Sequence, residues 1–276
     1  MFLKFTKMHG LGNDFMVFDG INQRVDLSSK QIQDLANRRF GVGFDQLLLV
    51  EKPDGDEADF KYRIYNANGG EVEQCGNGVR CFARFVAEKG LSQKNRIVVE
   101  TLGGTVIPEL VEGGHVRVDM GVPNFDPAAL PFTAEQAALA HNLDVEGEVL
   151  SIGAVSMGNP HAVLQVPNIQ TADVVRLGPL IEGHVRFPRN VNAGFMQVVD
   201  RGRIKLRVYE RGAGETMACG TGACAAVAVA RTQDLVDESV IVELSGGELI
   251  IEWSGMGQSL YMTGDASNVF EGEVEV

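Results

Sequence analysis

Short runs in which apolar residues alternate with polar ones, or cluster as β-branched stretches, recur along the whole chain and are closed by Gly, Asn or Asp. In the first half they predict strands at 15–18, 46–50, 60–65, 96–101, 106–110 and 115–120. The period lengthens to that of a helix at 29–39, where Ser28 can cap the first turn, and at 78–89, which Gly90 closes. The second half repeats the theme. A helix is predicted over 133–142, then strands at 149–155, 162–166, 191–198 and 204–209, a helix at 222–231, and strands at 240–244, 248–253, 259–263 and 269–273. Connections such as "EGG" and "SGMGQ" read as hairpin turns. Strands outnumber helices and are mostly hairpin-linked, which predicts an α+β fold rather than a doubly wound sheet. The helix at 222–231, within "TGACAAVAVAR", carries Ala at five positions and is slim enough for a curved sheet to wrap it on all sides. We therefore expect two similar domains, each a barrel-like, mostly antiparallel sheet around one central helix. The Pro-, Asn- and Asp-rich stretch 121–131 is the natural crossing between them.

Composition narrows the class. With 276 residues, 45% hydrophobic and 22% charged, the chain is long enough for two domains with full cores. No run approaches the roughly 18 apolar residues of a membrane span. The opening "MFLKFTKMHGLGNDF" lacks the long apolar stretch and cleavage site of a signal peptide, so a cytoplasmic protein is expected. A formal net charge of -13, with no stripe of basic residues, argues against nucleic acid and membrane surfaces as partners. It leaves a small anionic substrate open, since one Arg and a few backbone amides decide that locally. The four cysteines, Cys75, Cys81, Cys219 and Cys224, lack the C-x2-C spacing of zinc sites, and no metal is expected. Cys81 and Cys224 lie within apolar helical runs and read as small buried hydrophobes.

Cys75 and Cys219 differ from that pair. Each opens a repeated device, "CGNGVRCFARFVAEKG" at 75–90 and "CGTGACAAVAVARTQD" at 219–234, with a cysteine just ahead of a helix. Unsatisfied N–H groups and the positive end of the helix dipole favour a thiolate there. Gly76, Gly78, Gly220 and Gly222 let the backbone approach an anion and present successive amides to it. Two such devices facing one carboxylate suit a reaction that removes hydrogen from the adjacent carbon and returns one to the opposite face. One sulfur is then thiolate and the other thiol, with roles exchanged between the two directions. The amides stabilise the developing carbanion, and domain closure would strengthen every contact by excluding water.

Along essentially its whole length the chain resembles the diaminopimelate epimerase family, through "MHGLGNDFMVFDG", "YNANGGEVEQCGNGVRC", "GNPHAV", "NVNAGFMQV" and "YERGAGETMACGTGACA". The resemblance implies interconversion of LL- and meso-diaminopimelate in lysine and peptidoglycan precursor synthesis, with no cofactor, by a homodimer whose active site lies in the cleft between the domains. It implies domains of 1–120 plus 265–276, carrying Cys75, and 121–264, carrying Cys219. Cys75 and Cys219 fall on the family's two bases, and Gly76, Asn77, Gly220 and Thr221 on the amides that hold the reacting carboxylate. Asn13 and Gln46 match polar residues at the reacting end. At the far amino acid head, Arg211 can grip the carboxylate bidentately, Glu210 can accept from the ammonium, and Asn66, Asn159 and Asn192 supply amide contacts. His161 matches a histidine with a supporting acid-base or orienting role. Asn68–Gly69 stands where Asp-Gly is commoner, and Thr221 where many members have Ser.

Three other readings stay open on the residues. A proline-racemase-like isomerase would use both cysteines but has no need of a second head-group site. A cysteine hydrolase with His161 as base leaves one copy of the device unexplained. A thiol metal or redox module has the wrong ligand spacing.

Overall fold

The computed structural model describes residues 2–72, 76–134, 136 and 138–276; Cys75, one of the two expected bases, lies outside the described residues. The chain forms two compact units, Met1–Asp119 with Thr263–Val276, and Met120–Met262. The first begins with β1 (Phe2–Gly10) and β2 (Asn13–Asp19), then α1 (Ser29–Ala36), β3 (Gln46–Glu51), β4 (Phe60–Asn66), β5 (Glu71–Val72) and α2 (Gly76–Glu88). Four short strands follow: β6 (Val99–Thr101), β7 (Gly104–Val106), β8 (Glu109–Leu110) and β9 (Val116–Asp119). The second unit holds β10 (His141–Val145), β11 (Glu148–Ser156), β12 (Pro160–Gln165), α3 (Val174–Glu182), β13 (Asn192–Asp200), β14 (Arg203–Glu210), β15 (Gly214–Thr216) and α4 (Gly220–Thr232). It ends with β16 (Ser239–Leu244), β17 (Gly247–Trp253) and β18 (Leu260–Gly264), after which β19 (Ser267–Glu275) returns to the first unit.

The two units share one plan. The first runs β19-β1-β2-β3-β4-β6-β7 with β5 paired to β4; the second runs β10-β11-β12-β13-β14-β16-β17-β18 with β15 paired to β14. In each, two parallel pairs interrupt antiparallel ones: β2 with β3 and β4 with β6, then β12 with β13 and β14 with β16. A parallel neighbour needs a crossover, and each of these connections carries a helix, α1 and α2 in the first unit, α3 and α4 in the second.

The helices occupy opposite faces of each sheet, so β2, β3, β12 and β13 are buried on both sides and read as continuous apolar runs, while β4, β14 and β16 alternate. In "QLLLVE", Leu47 and Leu49 join Met16, Phe18, Ile32, Leu35 and Phe44 in the core under α1. Leu48 points the other way, toward α2, where a Cβ on Gly78 would lie 3.5 Å from it. In the second unit Val174, Leu177 and Ile181 of α3 pack with Leu143, Ile152, Leu164 and Phe195. The alanine-rich α4 is buried all round, from Gly222 to Ala230 without a break. Gly153 of β11 shows how close the sheet comes, since a Cβ there would sit 2.2 Å from Val229 Cγ1. This is the predicted α+β arrangement, with the slim helix α4 in the second unit and the bulkier α2, which buries Arg80, Phe82 and Phe85, in the first.

Local departures have physical causes. The helix expected at 133–142 is absent among its described residues. The Thr133 amide and carbonyl bond to Arg186, whose Nη1 takes the Asn142 carbonyl at 2.6 Å, and Phe132 stacks on Phe187 at 4.5 Å. From His141 the backbone pairs instead with β11 around the Glu146–Gly147 turn, both residues having positive φ. The peripheral helix of this unit is α3, unforeseen because Val174, Val175, Gly178 and Pro179 are poor helix formers and Asp173 makes no side-chain cap. By contrast, Ser28 and Gln31 form a full capping box on α1. β1 was also unforeseen, while 106–110 splits between β7 and β8. No helix among the described residues is long and apolar enough to cross a membrane.

Candidate active site

In the second unit, strand β14 and helix α4 bring the chemistry together. Cys219 is the extended residue capping α4, and its carbonyl accepts from Ala223 N–H at 2.9 Å. Its sulfur is buried and donates to Glu210 Oε2 at 3.1 Å, at the end of β14. Thr221 Oγ1 lies 3.6 Å from the sulfur, and the Gly222 N–H also points at it. Gly222 is required by close approach: a Cβ would meet Val208 Cγ2 at 3.0 Å and Cys219 Sγ at 3.2 Å. Glu210 Oε1 accepts from Thr216 Oγ1 at 2.5 Å, so the carboxylate is fixed between a hydroxyl and the thiol.

A helix start favours a thiolate, but at Cys219 two other influences act on the sulfur. Burial pushes the Cys219 thiol well up, and the Glu210 carboxylate pushes it further by its charge and by accepting the S–H; the Thr221 and Gly222 contacts pull it down but do not prevail. The balance favours the protonated sulfur, which donates to Glu210.

A second row of side chains supports it. Asn159 Nδ2 donates to Thr221 Oγ1 at 3.3 Å, and Asn159 Oδ1 lies 3.0 Å from His161 Nε2. A carbonyl oxygen can only accept, so that nitrogen carries the proton. Burial, helped by the Arg211 charge, holds His161 down to about 3. It is therefore a neutral orienting group for Asn159. Asn192 is buried and spent on backbone: it donates to the Pro160 carbonyl at 3.1 Å and accepts from Arg211 N–H at 2.9 Å. It thereby fixes where Arg211 leaves the strand. The Arg211 side chain is exposed, with Nη1 on the Arg189 carbonyl at 3.2 Å. Glu210, expected to accept from an ammonium, accepts in this structure from the thiol and from Thr216.

In the first unit, the register Phe15↔Gln46 and Gln46↔Asn66 places Asn13, Gln46 and Asn66 near one end of β2, β3 and β4. Gln46 Nε2 donates to Asn66 Oδ1 at 2.9 Å, while Gln46 Oε1 is buried with no partner among the described residues. Asn77, in the first turn of α2, donates to Asn13 Oδ1 at 3.3 Å and accepts from Arg80 Nη2 at 2.9 Å. Gly76 opens the same helix. Gly78 repeats the close approach of Gly222, since its Cβ would lie 2.3 Å from Tyr62 Oη on β4. Thr216, Arg80 and Asp45, whose carboxylate accepts from Asn13 and Arg38, were not singled out from the sequence, although the first two lie inside the quoted motifs.

The family model for diaminopimelate epimerase matches residues 5–125 and 153–269. A diaminopimelate epimerase of Thioalkalivibrio sulfidiphilus is 60% identical over 278 residues, covering 100% of both chains, and that of Chromobacterium violaceum is 58% identical over 276 residues, again covering 100% of both. Among solved structures, a PhzF-family phenazine biosynthesis protein of Bacillus anthracis superposes with a TM-score of 0.71 at 19% identity, covering 100% of each chain. A hydroxyproline epimerase from Agrobacterium vitis, with bound trans-4-hydroxy-L-proline, has a TM-score of 0.67 at 16% identity over 99% of this chain and 92% of its own. At that identity these structures bear on the fold alone.

Proposed function

The chain belongs to the diaminopimelate epimerase family, and from that membership we propose that it interconverts LL- and meso-diaminopimelate by passing protons between the substrate α-carbon and two sulfurs, Cys75 and Cys219. The observation that carries this reading is the Cys219 thiol, buried at a helix start with its proton held toward a carboxylate. A sulfur with raised proton affinity is a poor leaving group for its proton at rest, but a strong base once it has given that proton up. In one direction Cys75, as thiolate, removes the α-proton while Cys219 delivers its own to the opposite face. Cys75 is then the thiol and Cys219 the thiolate, the state that acts on the other epimer. Asn13, Asn77 and the backbone amides at Gly76, Gly220 and Thr221 bind the carboxylate that takes up the carbanion's charge. Arg211, with its backbone anchored by Asn192, takes the distal carboxylate. Gln46, Asn66, Asn159 and Glu210 complete the polar lining, and His161 orients Asn159.

A place in lysine biosynthesis and in the cytoplasm goes with this reading. So does a homodimer: β19 ends its unit's sheet order with Val269 and Phe270 exposed, an edge that a second copy would cover.

The test is incubation with LL-diaminopimelate in deuterated water with no added cofactor. Meso product carrying one deuterium at the inverted carbon is expected. An unchanged stereocentre, or inversion of proline in place of diaminopimelate, would overturn the proposal.

A further inference from the structure

Four side chains of the first unit form a chain in which every link runs donor to acceptor in one direction. Arg80 Nη2 donates to Asn77 Oδ1 at 2.9 Å, Asn77 Nδ2 to Asn13 Oδ1 at 3.3 Å, and Asn13 Nδ2 to Asp45 Oδ2 at 2.9 Å. A side-chain amide can turn end for end at little cost unless its neighbours tell oxygen from nitrogen. Here both ends of the chain do. A guanidinium has only donors and an ionised carboxylate only acceptors, so a reversed Asn77 would set its NH2 against Arg80. A reversed Asn13 would set its oxygen against Asp45.

Both ends are themselves held. Arg80 is fully buried and also donates to the carbonyls of Asp265 at 3.2 Å and Gly76 at 3.5 Å. Gly10 keeps room for it, since a Cβ there would lie 3.2 Å from Nη2. Asp45 accepts from Arg38 Nη2 at 2.7 Å and from the Asp14 N–H at 3.2 Å. Arg38 grips Asp14 with two hydrogen bonds of 2.9 and 2.7 Å, and Lys7 donates to Asp14 at 2.6 Å.

We propose that Arg80 and Asp45 are positioning residues that fix, from opposite ends of one hydrogen-bonded chain, which way the Asn77 and Asn13 amides face a bound substrate carboxylate. The inference rests on the functional reading above, in which Asn13 and Asn77 line the reacting end. Arg80 and Asp45 act only through them. Because the carboxylate gains charge as the α-proton leaves, amides facing it wrongly weaken the transition state more than the bound substrate.

The experiment compares the full-length wild type with Asp45→Ala, Asp45→Asn, Arg80→Lys and the Asp45→Ala/Arg80→Lys double variant. It reads kcat and KM for diaminopimelate epimerisation and the side-chain amide resonances of Asn13 and Asn77. Asp45→Ala is expected to lower kcat by about tenfold with KM moved less than about twofold, as for an interaction made mainly in the transition state. Asp45→Asn, which still offers Asn13 an oxygen, recovers most of that loss. The double variant falls no further than the worse single one. The Asn77 resonances move in Asp45→Ala although Asn77 is two links away. Wild-type kcat in Asp45→Ala, multiplying losses in the double variant, or unmoved Asn77 resonances would overturn the inference. A wild-type protein that does not epimerise diaminopimelate would sink the functional reading instead, and the resonances would still decide the chain. Should Arg80→Lys fail to fold, the two Asp45 variants and the resonances carry the test.

Discussion

The two units wrap the same strand order around the same kind of central helix, but the first turns of those helices meet opposite charges. At α4 the Glu210 carboxylate takes the Cys219 S–H at 3.1 Å. At α2 the buried Arg80 guanidinium reaches the Gly76 carbonyl and Asn77 Oδ1. What the units share is steric. Gly78 and Gly222, each the fourth residue of a C-G-x-G run, let the helix sit against β4 and β14, strands that hold the same place in their sheets. What differs is electrostatic. A duplicated scaffold can thus surround two equivalent helix starts with opposite charge.

The largest expected effect tests the shared part. Cys75→Ala and Cys219→Ala should each lower kcat for epimerisation by about 10²–10⁴-fold or more, the range of a lost general acid or base, with thermal unfolding unchanged within a few degrees. Retained turnover in either would break the symmetry of the two units.

The next erases their difference. Glu210→Gln keeps an acceptor for Thr216 and the thiol but removes the charge. The pH at which Cys219 becomes half-reactive toward an alkylating reagent should then fall. An unchanged profile in Glu210→Gln would contradict the contrast.

Asp14→Asn probes the charged support beneath Asn13 and should destabilise the protein by about 1–3 kcal/mol at neutral pH. Burial raises the Asp14 carboxyl, but hydrogen bonds and charge from Arg38 and Lys7 outweigh it and hold it below the usual range. Its folded value is the depressed one, so this stabilisation is present above the unfolded value of about 3.9 and fades as pH falls below it. Denaturant melts of the two proteins should therefore differ by a constant amount from pH 7 to about 5 and begin to draw together as pH falls to 3. The smallest effect is that of Cys224→Ala, fully buried inside α4, which should cost about 1 kcal/mol in unfolding and leave kcat unchanged.

Much of this was legible in the sequence because it is local. The Ser28 cap, the slim "TGACAAVAVAR" helix, the duplicated Cys-Gly device and the strands around "QLLLV" all follow from residue type and period. What escaped depends on contacts distant in sequence. The segment 133–142 has helix-forming composition, yet Arg186 and β11 claim its ends. Val174–Glu182 has poor propensity, yet its apolar face covers the sheet where α1 does in the other unit. The proton affinity of Cys219 escaped for the same reason. A helix start argues for a thiolate, and only the fold shows burial and Glu210 prevailing.

The fate of solvent deuterium in the first turnovers tests the central claim most directly. LL-diaminopimelate is incubated in deuterated water, and label is counted separately in recovered substrate and in new meso product. Two bases on opposite faces predict product carrying deuterium at the inverted carbon while recovered substrate stays protiated. Label entering recovered substrate as fast as it enters product would mean that a single group both removes and returns the proton, and would contradict the account.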